Sequence, residues 1–232
     1  MASLLMRLQG PMQSWGSTSA WNERDTGLLP TKSGVVGLLC SALGRDRGEP
    51  VDDLARLRMG VRADAPGVLM RDFHTVNGVL SVSSGGRLGT PTDPRTVVTV
   101  RHYLADADFL VGLEGELELL QRVHDALRRP RWFIALGRKS FVPAAPVWLP
   151  DGLQDKPLRD ALVQYPPRLR RNASSRAHGE HPLDGEGAAR RVDLALESDS
   201  GGRVFMDQPI GTYARRRYAP RHVRTEAVDV PA

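Results

Sequence analysis

Cysteine is almost absent from this chain of 232 residues: Cys40 stands alone, which excludes an internal disulfide and a thiolate-rich zinc site. Long apolar runs are missing as well. The stretch 34–42 is among the longest, and it contains a Cys and a Ser, whereas a bilayer-spanning helix needs roughly 20 apolar residues. The apolar part of Met1–Arg7 is too short for a secretory signal. No Gly-x-Ser-x-Gly elbow occurs, and no His, Asp and Glu residues cluster at metal-ligand spacing. The expectation is a cytoplasmic protein without membrane segments, metal or cofactor.

Lysine is the next scarcity. Of the 32 basic residues only Lys32, Lys139 and Lys156 are Lys; the rest are Arg. Arg offers a planar fork of donors that suits phosphate and can stack on bases. With a formal charge of +5 and a pI near 9.9, nucleic acid is the first partner class to weigh. Hydrophobic residues at 41% and charged residues at 25% are ordinary for a chain that buries a core.

Punctuation and periodicity organise the chain. Ser3–Gln9 reads as a strand stopped by Gly10-Pro11. Thr31 is a candidate N-cap for a helix whose Val35, Val36, Leu38, Leu39, Ala42 and Leu43 share a face, closed by Gly44. Gly34 and Gly37 inside it cost about 1 kcal/mol each relative to Ala, which makes sense where something approaches the backbone closely. A short helix over Pro50–Arg56 and strands over Met59–Ala65, Val68–Val76, Val97–Tyr103 and Asp108–Leu113 follow. Glu114–Arg129 is an amphipathic helix, acidic at its start and basic at its end. A further strand is expected over Trp132–Ala135. Strand–helix–strand twice over is the βαββαβ order of a ferredoxin-like or RRM-like α+β sheet. Residues 168–190 read as a flexible Arg-rich loop. Arg191–Leu196 with Gly202–Phe205 read as a small terminal hairpin, and Tyr213–Arg224 as a basic run.

Several groups could carry chemistry. Lys32-Ser33 at a helix start resembles a phosphate loop, but Thr26 and Thr31 stand where that pattern needs Gly. Helix amides with Lys32 and Ser33 could still hold a nucleic-acid phosphate; the alternative is a plain exposed cap. His74 suits acid–base chemistry or a structural hydrogen bond. Strand alternation puts Arg101 and Tyr103 on one face and His102 on the other, either as a base-stacking surface or as a half-buried Tyr. Gly137-Arg138-Lys139-Ser140 is a basic turn suited to phosphate or merely solvated. The Arg215-Arg216-Arg217 run could bind RNA, dock an acidic partner, or face solvent.

Taken together, Leu8–Gly16, Pro30–Leu39, Arg71–Val76, Arg101–Ala107 and Leu136–Ser140 occur in the order found in the fifth CRISPR-associated protein family of the RAMP superfamily. The chain resembles its subtype I-E members, well over residues 3–150 and loosely beyond. That resemblance implies an RRM-like domain over 1–150 with a projecting β-hairpin thumb near 77–98, and a small β-rich C-terminal extension over 151–232. It implies a non-catalytic guide-RNA-binding subunit of a Cascade surveillance complex. Such a subunit grips the 5′ handle of the crRNA and contacts the backbone subunit and the large PAM-reading subunit. Gln13, Trp15, Arg24, Lys32, Ser33, His74, Arg101, Tyr103, Arg138 and Lys139 would then lie near the handle. The alternative is a metal-independent endoribonuclease acting on repeat RNA through His74 or His102, Tyr103 and Lys139.

Overall fold

A computed structural model describes residues 2–16, 23–79, 95–167, 190–215 and 217–231. Among them run β1 (Ala2–Gln9), β2 (Met12–Gln13), β3 (Glu23–Arg24), α1 (Lys32–Leu43), α2 (Asp52–Ala55), β4 (Arg58–Ala65), β5 (Val68–Val79), β6 (Arg95–Ala105), β7 (Asp108–Gly115), α3 (Leu117–Arg128), β8 (Trp148–Gln154), α4 (Leu158–Gln164), β9 (Arg190–Ser198), β10 (Arg203–Ile210) and β11 (Arg217–Val230). The fold is α+β and its sheets are mostly antiparallel.

The main sheet has seven strands in the order β10-β11-β9-β4-β7-β1-β8. The connection from β1 to β4 carries α1, and that from β7 to β8 carries α3. Alternate residues of the central strands feed two cores. Leu4, Met6, Leu8, Met59, Val61, Phe109 and Val111 pack beneath α1 and α3. Leu5 and Leu110 point the other way, onto Leu158 and Leu162 of α4. Burial on both faces explains why Ser3–Leu8 is buried without a break, with little hydrophobic alternation.

The first helix forms where the sequence signals it. The Thr31 side chain accepts from the Gly34 amide, and Gly44 closes the helix in the left-handed conformation. Gly34 is required because a Cβ there would come within 2.8 Å of the Trp15 ring. Gly37 has no such close neighbour; its nearest atom is the Tyr213 hydroxyl at 3.7 Å. Trp15 is 1% exposed and anchors this contact. Trp15→Ala is expected to cost about 3–5 kcal/mol of stability, measured as a shift of the urea midpoint at unchanged slope.

On the α4 side the sheet buries a charged network. Arg7 bridges Asp64 at 2.8 Å and Asp108 at 2.9 Å. Arg62 pairs with Asp64 and donates to the Leu162 and Tyr165 carbonyls, so a cation closes the C-terminal end of α4.

Past the bends at Pro66-Gly67 and Asp106-Ala107, the neighbouring strands β4 and β7 continue as β5 and β6. These two pair antiparallel from Val68↔Ala105 to Val79↔Arg95. β6 also pairs with β2 and, in parallel, with β3, giving a second sheet. The tip of the expected thumb, residues 80–94, lies outside the described residues, as do 168–189 of the expected Arg-rich loop.

Three sequence expectations are corrected. Trp132–Ala135 is not a strand; Trp132 and Phe133 are exposed, and the strand following α3 is β8. The amides of Arg131 and Trp132 instead donate to the Ala42 and Ser41 carbonyls, closing the C-terminal end of α1. β9 and β10 do not form a hairpin with each other, because β11 lies between them. Most of the basic run 213–224 is therefore strand, with Arg221 buried beside Asp207.

Candidate nucleic-acid interface

The second sheet and the turn after Leu136 bring three guanidinium-bearing residues together from distant parts of the chain. Arg24 on β3 sits in register with Arg101 on β6. Arg138 donates to the His102 carbonyl at 2.8 Å and reaches the Arg24 carbonyl at 3.4 Å. Burial pulls the Arg138 guanidinium below its ordinary value, and the positive charges of Arg101 and Arg24 lower it further; Asp72 and Asp25 oppose this in part. Like charges held this close gain from an anion between them.

The turn carrying Arg138 is fixed by its neighbours. Gly137 adopts φ +92, and a Cβ there would fall 1.8 Å from the Ser14 carbonyl oxygen, so only Gly fits. Arg138 lies over the Phe141 ring at 5.3 Å, and Tyr103 packs on the same ring at 6.0 Å. Tyr103 is thus half-buried, with one part of its ring held by Phe141. Lys139 is exposed at the turn's outer side.

Register places Asp72 opposite Arg101 and His74 opposite Thr99, and directly opposed residues share a face. His74 Nε2 hydrogen-bonds Asp72, a partner that sequence alone did not reveal. The opposite face of the hairpin carries Phe73, 66% exposed, together with Arg71 and His102, which oppose each other across the strands. Phe73 was visible in the sequence only as part of the Arg71–Val76 motif. Its alternation with Asp72 and His74 was the available signal.

Three expected handle residues have other work. Gln13 is fully buried, its amide donating to the Leu8 and Ala107 carbonyls and its oxygen accepting from the Trp15 indole. Trp15 is core. Lys32 is 1% exposed and bridges Glu197 at 2.9 Å. Burial pulls its ammonium below the ordinary value, while Glu197 opposes that. Its backbone amide donates to Asp207, which Arg221 grips through two nitrogens. A carboxylate therefore occupies the start of α1, where an RNA phosphate was expected. Ser33 is only partly buried, and its carbonyl accepts from the Tyr213 hydroxyl. Of the expected residues, Arg24, Arg101 and Arg138 form one cluster. Tyr103 adjoins it, His74 lies one pleat along the same face, and Lys139 follows Arg138.

Among the described residues no metal-holding group of His, Cys, Asp or Glu occurs. Among them, too, no helix is long and apolar enough to cross a membrane.

Comparison with known proteins bears on this arrangement. The sequence matches the family described as CRISPR-associated protein (Cas_Cas5) over residues 3–224. It is 33% identical over 178 residues to the CRISPR system Cascade subunit CasD of Escherichia coli (strain K12), spanning 71% of this chain and 77% of that one. Two solved structures are similar. One, a Cas protein, has TM-score 0.74 and 45% identity over 99% of this chain and 97% of the other. The second is a chain of a CRISPR RNA-guided surveillance complex, with TM-score 0.76 and 35% identity over 99% and 91%.

Proposed function

Because the chain belongs to the Cas5 family of CRISPR-associated proteins, we propose that it is the non-catalytic guide-RNA-binding subunit of a type I-E Cascade surveillance complex. It grips the repeat-derived 5′ handle of the crRNA and caps one end of the backbone. The observation that carries this reading is the Arg24–Arg101–Arg138 cluster at the root of the β5–β6 hairpin. Phosphates of a single strand neutralise the cluster, and Tyr103 beside it offers a ring for an unstacked base. The strand order β8-β1-β7-β4, with α1 and α3 as crossovers, supports a ferredoxin-like, RRM-like βαββαβ domain. The β5–β6 hairpin is its thumb, and β9–β11 form the small C-terminal extension. The backbone subunit and the large PAM-reading subunit are its protein partners, and the assembly works in the cytoplasm.

One observation favours a second reading. The Asp72–His74 pair on the cluster's own face could make His74 a general base toward a 2′-hydroxyl, as in a metal-independent endoribonuclease. One gel separates the two. Labelled repeat RNA is incubated with the protein and its complex in EDTA and read for both shift and cleavage. A shift with intact RNA is expected. Site-specific cleavage lost in His74→Ala would replace the binding reading with the nuclease one.

A further inference from the structure

Beside the Arg cluster lies a cleft of about 240 Å³, lined by Ser14, Trp15, Ser33, Gly137, Tyr213 and Tyr218 among others. Resting on the RNA-binding reading above, we infer that this cleft receives one unstacked nucleobase of the bound strand. Its size, chemistry and position each support that assignment. Sites for drug-sized ligands run from about 300 to 1,000 Å³, so this one has room for a single base and not for two. Among the described residues no charged side chain lines it, which suits the neutral base and leaves the phosphate to the guanidiniums outside.

The walls are rings and hydroxyls. The Tyr213 hydroxyl donates to the Ser33 carbonyl, so its ring is fixed before any ligand arrives and little ordering entropy is lost on stacking. Tyr218 is 37% exposed and supplies the second, more open ring. Ser14 and Ser33 offer hydroxyls that can donate to or accept from a base edge. The Ser14 hydroxyl and the Arg138 guanidinium both approach the His102 carbonyl, at 3.5 and 2.8 Å. Cleft wall and cation cluster thus meet at one atom. A nucleotide whose phosphate sits on the cluster therefore has its base beside the cleft.

The test is a cycle of RNA and protein changes in the assembled complex. Each handle nucleotide is made abasic in turn and binding is measured with the wild-type chain, Tyr218→Ala and Tyr218→Phe. With the wild type, one abasic position is expected to weaken binding about 5- to 150-fold, the worth of one base–aromatic stack. Tyr218→Ala should weaken intact RNA similarly and abolish the penalty at that position alone, while Tyr218→Phe, which keeps the ring, should restore both. If every abasic penalty persists unchanged in Tyr218→Ala, the cleft holds no base, although RNA binding itself stands. If the wild-type complex binds no handle RNA, the binding reading fails and the cleft assignment fails with it.

Discussion

Replacing Arg24, Arg101 and Arg138 together by Ala is expected to weaken 5′-handle binding about 100-fold at physiological salt. The three are concentrated at one place by register and by the Arg138 bonds to the His102 and Arg24 carbonyls. Their mutual repulsion, which adds to burial in lowering the Arg138 value and is offset in part by Asp72 and Asp25, is eased further by a bound phosphate. Each phosphate neutralised on a single strand contributes about 0.7 to the slope of log K against log salt. Losing three contacts should flatten that slope by about 2. A salt titration of the triple variant checks both numbers at once. Loss of affinity at unchanged slope would mean that the residues act through packing instead. Arg24→Ala alone, at an exposed strand position, should flatten the slope by about 0.7 with stability near wild type.

Asp207→Ala is expected to be strongly destabilising, at about 3–5 kcal/mol. Asp207 is 3% exposed, holds Arg221 through both carboxylate oxygens, and accepts from the Lys32 amide at the start of α1. Its removal strands a buried guanidinium whose remaining carboxylate, on Glu197, is 3.9 Å away. It also frees an orphan amide at the N-terminus of α1, worth about 1 kcal/mol. Urea denaturation measures the sum. Replacing both partners, as Asp207→Leu with Arg221→Met, should recover much of it, because an apolar pair removes the desolvation cost along with the attraction. A double variant as unstable as the single one would contradict this explanation.

What the sequence disclosed follows from how far each signal reaches. α1 was legible because Thr31 and Gly44 act within a turn of its ends, and the alternating Met59–Ala65 and Val97–Tyr103 declared themselves locally. β11 was not legible, since its Arg-rich start reads as a solvated run until Asp207, 14 residues away, is seen to bury Arg221. Lys32 was misplaced for the same reason on a larger scale: Glu197 is 165 residues distant. Gln13 and Trp15 were in a recognisable motif, yet the motif builds a wall against α1 and not an exposed grip. In contrast, Arg138 donates to the His102 and Arg24 carbonyls, and Arg101 donates to the Thr99 hydroxyl. Their cation character was readable residue by residue; their convergence required the register of β3 on β6.

The central claim is that RNA lies along the root of the β5–β6 hairpin. Its most direct test is photo-crosslinking of handle RNA bearing 4-thiouridine at each position, in the assembled complex, with the attached peptides sequenced. Cross-links within 69–76, 97–104 and 137–141, with one handle position reaching Tyr213 or Tyr218, are the expected result. Cross-links confined to the outer surface of α3 and to β8, with none at the hairpin root, would contradict it.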